Sequence, residues 1–551
     1  QRPARVCLIV DSRAKELVRI GERLFTRKQP WNDLCQELAD NLYPLRADFT
    51  TSFTLCEDFS LDIMDSFPVQ ARETLGNAPS AMLRQGKNWF SVKTGYEELD
   101  EDPEVARWLE GATTRFRRLI YDRRARFVRA TNEADHDWVT FGNPVLSVEE
   151  SPTRDHFLFR SWHPKECAWM ENAVGVVDHL QRHMPSTARN IASRWKNVHA
   201  NIEKAARDEP DREFKVRHIV LPFDEIYGDD KARRRKARGN PFVSVYIDCE
   251  HEEVLGEGSL PVFNYVVPRW RTISGYPYGF SPAAIGALPD ARMLQALSRI
   301  VLEQGEKALD PPIVAKGEIF RDAVNLYAGG MTYVDLEGDQ DIRQAIQALE
   351  TGSGLSGGLE LKQDARMLIS EAFLLNKLML PNAREMREIE VQARLDEFRR
   401  AALPFFGPIE SGYHLPLLDT AFQMAVVNQQ FDFSEMPEKL QSGEVTFTFD
   451  SPLATAEGRA AVVAFQESVQ IVAASAQFDQ NAVNIIDLTK ATKDAVKGTG
   501  APADWFNDEQ TEEAKNDQSD QAANLMKMAE FLRGGAAVAG DVANATVAMK
   551  Q

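Results

Sequence analysis

The chain has 551 residues, 43% of them apolar, which allows roughly three or four domain-sized units with hydrophobic cores of their own. Its 83 acidic and 64 basic side chains leave a net charge of −19, and this excludes tight wrapping of the whole molecule on nucleic acid, because phosphate binding needs a cationic face. The five cysteines, Cys7, Cys35, Cys56, Cys167 and Cys249, are scattered, without CxxC spacing or the density of a disulfide scaffold, so reduced thiols in a cytoplasm are expected.

Residues 1–130 read as mostly helical, with apolar positions at helical spacing over Trp31 to Tyr43 and Val105 to Val128. Between these, Pro79 to Val92 reads as a loop ending on Trp89 and Phe90. From Asn143 to Ile247 the pattern becomes short β-type alternation, in PVLSVEE, HFLFRSW, FKVRHIVLPF and PFVSVYIDCE. Ser186 to Ala206 interrupts it as a helix, and Lys231 to Asn240 joins two strands. The fold class expected is α+β, predominantly α-helical.

Tyr276 to Pro312 is a long helix entered and left through proline. It starts at Pro289, where proline suits a first turn, and runs to about Ala308, a length of about 30 Å at 1.5 Å per residue. Met293, Leu294, Leu297, Ile300 and Val301 are expected to pack as one stripe, leaving Arg292, Gln295, Arg299 and Glu303 to face elsewhere. Asp310-Pro311-Pro312 stops it. Residues 313–350 then read as a strand-like PIVAKG, a Gly329-Gly330 turn, a strand-like MTYVDL and a short helix at Ile342 to Leu349. A second long helix is expected from about Leu359 to Leu378, its apolar set being Leu361, Leu368, Ile369, Leu375 and Leu378. Leu380-Pro381-Asn382 breaks it. A third helix runs from Arg384 to Arg400, with Glu390/Arg394 and Asp396/Arg400 as i,i+4 pairs. Beyond Ser451 helices such as Ala454 to Ala476 are expected. Asp504 to Asp520 reads as a solvated acidic stretch, and Ala522 to Met549 as a weakly amphipathic helix that an assembly could support.

Catalytic and ligand signatures are sparse. Gly352-Ser353-Gly354-Leu355-Ser356-Gly357 has the letters of GxGxxG and precedes a helix, but follows no convincing strand of a βαβ unit. It reads either as a cofactor loop or as a hinge into the second helix. No GxxxxGK[ST] is present, so ATP hydrolysis is not expected. His179 and His183 are four apart without an HExxH glutamate, and His163 and Cys167 are four apart without a second pair; structural roles are expected, with no metal, no cofactor and no catalytic residue. Two basic runs stand out. Arg115 to Arg129 holds seven arginines among apolar residues and reads as an amphipathic helix whose charged side is solvated, paired with acids or aimed at DNA. Lys231 to Arg238 reads as an exposed loop tip or as a contact for nucleic acid or capsid. No apolar run approaches the roughly twenty residues of a bilayer span, and no export signal opens the chain, so a soluble, unexported protein is expected.

Several segments, in order, resemble the portal, or head-to-tail connector, proteins of short-tailed phages. They are Lys87-Asn88-Trp89-Phe90, then Phe141-Gly142-Asn143-Pro144-Val145-Leu146-Ser147-Val148-Glu149. Arg269-Trp270, Gly275, Tyr278-Gly279, Ser281-Pro282 and Ala287-Leu288-Pro289-Asp290 follow. The resemblance runs from about Glu22 to about Phe506. Before the Trp-Phe pair this chain has Ser80-Ala81-Met82-Leu83-Arg84-Gln85 where relatives carry a turn rich in glycine, threonine and serine.

The resemblance implies a portal fold assembled as a ring, a dodecamer, in the virion at the capsid portal vertex, formed in the host bacterial cytoplasm. It implies a wing over 1–280, a first stem helix over 281–308, a clip over 309–356 and a second stem helix over 357–378. A channel loop over 379–387, a wing helix and return over 388–450 and a crown over 451–551 complete it. The implied role is passage of double-stranded DNA, with the major capsid protein, the terminase large subunit and tail adaptor proteins as partners and no membrane. By matched position, Lys362, Arg366, Lys377, Asn382, Arg384 and Arg387 would face the channel, and Lys316 and Arg321 would serve docking at the clip. The alternatives are another virion structural protein of tail or core, or a nucleotide-binding enzyme using Gly352 to Gly357.

Overall fold

A computed structural model describes residues 11–52, 58, 63–84, 86–100, 102–151, 156–196, 198–228, 231–309, 313–315, 346–348, 355–378, 408–431, 434, 436–440 and 445–449, with short pieces at 462, 465–472, 490–492 and 495–496. Apolar residues recur at helical spacing from Ala14 to Leu42, and the chain there is one helix, α1 (Asp11–Leu42). It starts well before Trp31 and runs through Pro30. Burial of Leu17 and Val18 on one side of the proline and of Leu38 and Leu42 on the other outweighs the roughly 3 kcal/mol that an interior proline costs. Helix α2 (Phe67–Met82) carries the chain past Pro79 into what reads as loop, and strand β1 (Phe90–Thr94) follows. After the short α3 (Glu97–Asp100), α4 (Pro103–Ile120) begins on Asp102, whose carboxylate accepts from the Glu104 N–H at 3.0 Å. The single helix expected to reach Val128 is instead two, because Arg126 turns the chain with φ of 59° before α5 (Phe127–Phe141).

Strands β2 (Val145–Glu150), β3 (Phe157–Trp162), β4 (Cys167–Glu171) and β5 (Val177–Thr187) come next. The segment expected as one helix over 186–206 is a hairpin of two, α6 (Ala188–Arg194) and α7 (Ala200–Asp208), capped by Thr187 and His199. Strand β6 (Glu213–Pro222) leads through α8 (Phe223–Tyr227) and α9 (Lys231–Lys236) to β7 (Phe242–Asp248), β8 (Glu253–Leu260) and β9 (Tyr265–Val266). The basic connection is therefore a helical turn and not only a loop. Then follow α10 (Leu288–Leu309), β10 (Ile313–Ala315), β11 (Ile346–Ala348), α11 (Leu355–Ala372), α12 (Leu375–Leu378), α13 (Leu415–Val427) and β12 (Val445–Phe449). Residues 346–348 pair as a strand with β10, where the periodicity had suggested a helix over Ile342 to Leu349. MTYVDL, the helix at Arg384 to Arg400, the acidic stretch and the last helix lie outside the described residues.

The chain divides into two units. The first comprises residues 1–79 and 126–420 and centres on an antiparallel sheet in the order β4-β5-β6-β7-β8. Both faces of that sheet are covered, so residues of both alternating sets, including the polar His179, Gln181, Arg182, Arg217 and His218, are buried. Ile219, Leu221, Val243, Val245 and Ile247 pack with Ala14, Leu17 and Val18 of α1. Phe214, Val216 and Leu255 pack with Ala188, Ile191, Ile202 and Ala205 of the helical hairpin. A second sheet, β3-β2-β9, lies in the same unit, and Phe127 of α5 meets Phe159 of β3 edge-to-face at 5.1 Å.

The second unit comprises residues 80–125 and 421–551. Here β1 and β12 pair antiparallel, with Val92 opposite Phe447. Phe116 of α4 centres an aromatic cluster, 5.7 Å from Phe90, 5.3 Å from Phe422 and 5.9 Å from Phe447. Trp89 of the Trp-Phe pair is buried and donates its indole N–H to the Tyr121 hydroxyl at 2.7 Å.

Gly142 ends α5 at φ of 80°. A Cβ there would lie 2.8 Å from the Ser281 nitrogen and 2.9 Å from the Phe280 carbonyl carbon. Gly142→Ala is expected to destabilise the protein by roughly 1–3 kcal/mol or more, read as a lower denaturant midpoint at unchanged slope. An unchanged midpoint would show that the backbone approach is not tight.

Candidate functional site: paired helices and their anchor

The two glycine-containing segments quoted above for the family resemblance meet in space. The Asn143 side-chain amide donates to the Gly279 carbonyl at 2.8 Å and accepts from the Gly279 N–H at 2.7 Å. The Ser281 hydroxyl donates to the Thr140 carbonyl at 2.6 Å and accepts from the Ala284 N–H at 3.0 Å. Trp270 donates its backbone N–H to the Gly142 carbonyl at 3.0 Å and packs its ring, tilted by 53°, against Trp138 at 4.3 Å. Trp169 donates to the Pro277 carbonyl at 3.0 Å and lies 4.5 Å from Tyr278. These bonds satisfy a buried turn and fix the direction in which the chain enters α10, through a π-helical turn at Ala283–Ala287.

Helices α10 and α11 pack antiparallel. A Cβ on Gly286 would meet Ala372 Cβ at 3.2 Å, and a Cβ on Gly358 would meet Val301 Cγ2 at 2.9 Å. The glycines thus set the close approach at both ends. The buried side chains are Ala287, Leu288, Ala291, Leu294 and Ser298 on one side and Ala365, Ile369 and Phe373 on the other. The stripes expected from the sequence are met in part: Leu294, Ile369 and Leu375 are buried, whereas Met293, Ile300, Leu361 and Leu368 are exposed. The antiparallel ladder of β10 and β11 continues the pair at the end remote from the junction. Leu374, at φ of 59°, separates α11 from α12, so the second long helix is shorter than expected.

Asp65 ties both helices down. Its buried carboxylate accepts from Lys362 Nζ at 3.1 Å, Arg366 Nη2 at 2.9 Å and the Phe67 N–H at 3.0 Å. From α10, Gln295 accepts from the Met64 and Asp65 N–H groups at 2.8 and 2.9 Å and donates to the Asp65 carbonyl at 2.9 Å. Burial pushes the Asp65 pKa up, but the Phe67 N–H and the two cations outweigh it and hold the carboxyl below its ordinary value.

Of the residues named for a channel, Lys362 and Arg366 sit on α11 with Asp65, and Lys377 falls on α12. Asn382, Arg384 and Arg387 lie outside the described residues, as do Lys316 and Arg321 of the clip segment. In the glycine-rich hexamer, Leu355 to Gly357 are helical. The strand before it, β11, is antiparallel to its partner and so supplies no parallel βαβ unit. His179 meets Glu225 at 3.2 Å, whereas His183 packs against the Phe25 ring at 4.0 Å, so the pair does not converge. His163 contacts Asp48 at 2.5 Å, and Cys167 is buried in the sheet. Among the described residues no three potential ligands gather for a metal, Cys35, Cys167 and Cys249 are free thiols, and no helix is long and apolar enough to cross a membrane. The arginine run from Arg115 is split over α4, a turn and α5; Arg117 donates to the Phe90 carbonyl, Arg124 pairs with Asp122 and Arg129 with Glu133.

Sequence reading missed two buried polar centres. His218 bonds to the Tyr265 hydroxyl at 2.7 Å and to the Ser244 hydroxyl at 2.9 Å, while Arg182 lies 3.6 Å over the Trp162 ring. A serine beside a histidine is a nucleophile's arrangement, but all three bonded groups are sealed in the sheet, where burial drives His218 toward its neutral form. Lys28 is fully buried, donating to the Cys167 carbonyl at 2.6 Å and to the Pro164 carbonyl, with Trp31 4.8 Å away; burial lowers its pKa to about 8. Partners 26 and 47 residues away for His218, and 136 and 139 residues away for Lys28, leave no local signal in the sequence.

A protein-family model described as the bacteriophage head to tail connecting protein matches residues 14–506. The chain belongs to this family. It is 22% identical over 530 residues to the portal protein of Salmonella phage epsilon15, covering 94% of this chain and 92% of that one. It is 26% identical over 451 residues to the probable portal protein of Bordetella phage BPP-1, covering 79% and 78% respectively. As a head-to-tail connector it is a structural component of a phage particle.

Asp65→Asn removes the charge on which Lys362 and Arg366 converge, and is expected to lower the unfolding midpoint at pH 7. Because the folded pKa is depressed, the Asp65 contribution is present above about pH 4, the ordinary carboxyl range, and fades as pH falls through the lower folded value. The difference between wild type and variant should therefore shrink below pH 4. A difference that stays constant down to pH 2 would mean that the charge is not what holds the helices.

Proposed function

We propose that the chain assembles into a closed ring of twelve copies at the capsid portal vertex, through whose axial channel double-stranded DNA is packaged and later ejected. Helices α10 and α11 form the stem, residues 309–356 the clip, residues 1–280 with 388–450 the wing, 379–387 a channel loop and 451–551 the crown. The observation that carries this reading is the set of large apolar side chains that the single chain leaves uncovered on the helix pair, namely Ile300 and Leu302 on α10 and Leu359, Leu361, Met367 and Leu368 on α11. Apolar side chains clustered on one exposed element mark an interaction surface, and a copy of the same pair on either side would cover them in a closed cyclic arrangement.

The acidic balance suits such a conduit. A duplex moving past a wall of like sign is repelled weakly and does not stick, while a few cations centre or hold it. Lys377, Asn382, Arg384 and Arg387 would supply that hold, with Lys362 and Arg366 nearby on α11. The clip, with Lys316 and Arg321, would receive the terminase large subunit during filling and tail adaptor proteins afterwards. The wing would meet the major capsid protein. Assembly would take place in the host bacterial cytoplasm.

Native mass spectrometry is expected to give an oligomer of twelve chains, and top-view images a ring with an axial opening; a stable single-copy particle without an opening, in solution and in virions, overturns the proposal. Replacing Leu361 and Met367 together with Asp should abolish the oligomer while leaving the helical circular dichroism of the chain intact. The Lys377→Ala/Arg384→Ala double variant should assemble normally but alter DNA packaging or retention, and normal packaging of full-length genomes would remove these residues from the channel.

A further inference from the structure

Helix α1 carries a single file of cations that the conduit reading does not use. Lys15, Arg19, Arg23 and Arg27 recur every fourth residue and are all exposed, so their Cα atoms follow one another at about 6 Å along one face of a continuous helix. They line an open trench of about 1060 Å³ together with Glu16 and Glu22. Lys15 has a loose ion pair with Glu252 at 3.5 Å. Among the described residues Arg19, Arg23 and Arg27 have no hydrogen-bond or ion-pair partner. In a chain of net charge −19, three neighbouring arginines beside an open trench, with carboxylates available elsewhere on the molecule, are a feature that solubility does not require.

We propose that this face of α1 is a contact for the phosphate backbone of a nucleic acid, independent of any axial channel. Two observations favour nucleic acid over an acidic protein. First, among the described residues the lining is charged apart from Thr26, with no large apolar side chain, whereas protein interfaces have apolar cores and nucleic-acid interfaces are polar and cationic. Second, three of the four cations are arginines, whose planar forks take two phosphate oxygens at once, and they stand at a regular step, as phosphates do along a strand. Glu16 and Glu22 oppose the contact, keep it weak and make it strongly salt-dependent. Contacts from these cations to phosphate oxygens would carry no sequence information.

The test is fluorescence anisotropy of a labelled 30-base-pair duplex with the full chain at low and moderate salt. Wild type should bind, and the Arg19→Ala/Arg23→Ala/Arg27→Ala variant should bind at least about tenfold more weakly, with the slope of log affinity against log salt reduced in magnitude by about 2.7 for three phosphate contacts. The Lys377→Ala/Arg384→Ala variant serves as comparator and should keep this binding, which separates it from passage through a channel. Absence of binding by wild type, or equal binding by the triple variant, overturns the proposal. If the triple variant changes the oligomeric state, the Glu16→Gln/Glu22→Gln variant, which retains every arginine, decides: tighter duplex binding supports a phosphate contact, and unchanged binding assigns the face to contact between protein subunits and overturns it.

Discussion

The approach of two backbone segments at Gly142 and Gly279 is the constraint on which the helix pair depends. The segments are more than 130 residues apart in sequence, yet Asn143 closes a two-way bond with the Gly279 peptide and Ser281 reaches back to Thr140. Each bond satisfies a buried polar group that would otherwise cost on the order of 1–3 kcal/mol. A Cβ at Gly142 would strain both, since it would lie 2.8 Å from the Ser281 nitrogen and 2.9 Å from the Phe280 carbonyl carbon and push the segments apart. The junction sits immediately before the π-helical turn that opens α10, so it sets the heading of that helix. Antiparallel packing at Gly286 and Gly358 and the Asp65 carboxylate then set the place of α11. Orientation is thus passed from a turn to a long element through close contacts that tolerate little adjustment.

Charge is distributed by the same logic. Cations that sit near packed elements have defined partners: Lys28 is held by two carbonyls, Arg46 by Asp137 at 2.6 Å, and Lys362 and Arg366 by Asp65. Burial of a cation is tolerated only where such acceptors are supplied, and in each case they come from a segment distant in sequence. These pairs specify which elements meet more than they add net stability. The arginines of the α1 file differ in that their surroundings supply no such acceptor among the described residues.

What could be read from the sequence follows the range over which each signal acts. The quoted turn segments were legible because glycine, proline and asparagine act locally, and the β alternation from Asn143 onward matches β2, β3, β6 and β7 nearly residue for residue. The family and its extent were legible from the order of those same segments. The packing face of α10 was legible only in part. Periodicity selected Leu294, which is buried, together with Met293 and Ile300, which are exposed, and passed over the small residues Ala291 and Ser298 that complete the buried face. Small residues carry little hydrophobic signal, yet they are what lets two helices approach closely. The clasp was illegible for a different reason: Asp65 is about 230 residues from Gln295 and 300 from Lys362 and Arg366, in a stretch with no motif.

The partly misread face has a physical consequence. Because Ala291, Ser298 and Ala365 share the buried contact with Leu294 and Ile369, several large apolar residues expected there are left outward, at Met293, Ile300, Leu361 and Leu368. A lone two-helix element with such a surface loses roughly 25 cal/mol for every Å² of apolar surface left in water, and it gains that back only by covering the surface with something of matching length and shape. A second antiparallel pair of the same length satisfies both conditions without any new sequence. Cyclic symmetry then leaves no end uncovered. Under the ring proposed above, the pair would pack on two scales, with Ala291, Leu294, Ser298, Ala365 and Ile369 buried within the subunit and the exposed Met293, Ile300, Leu361 and Leu368 covered by neighbouring copies.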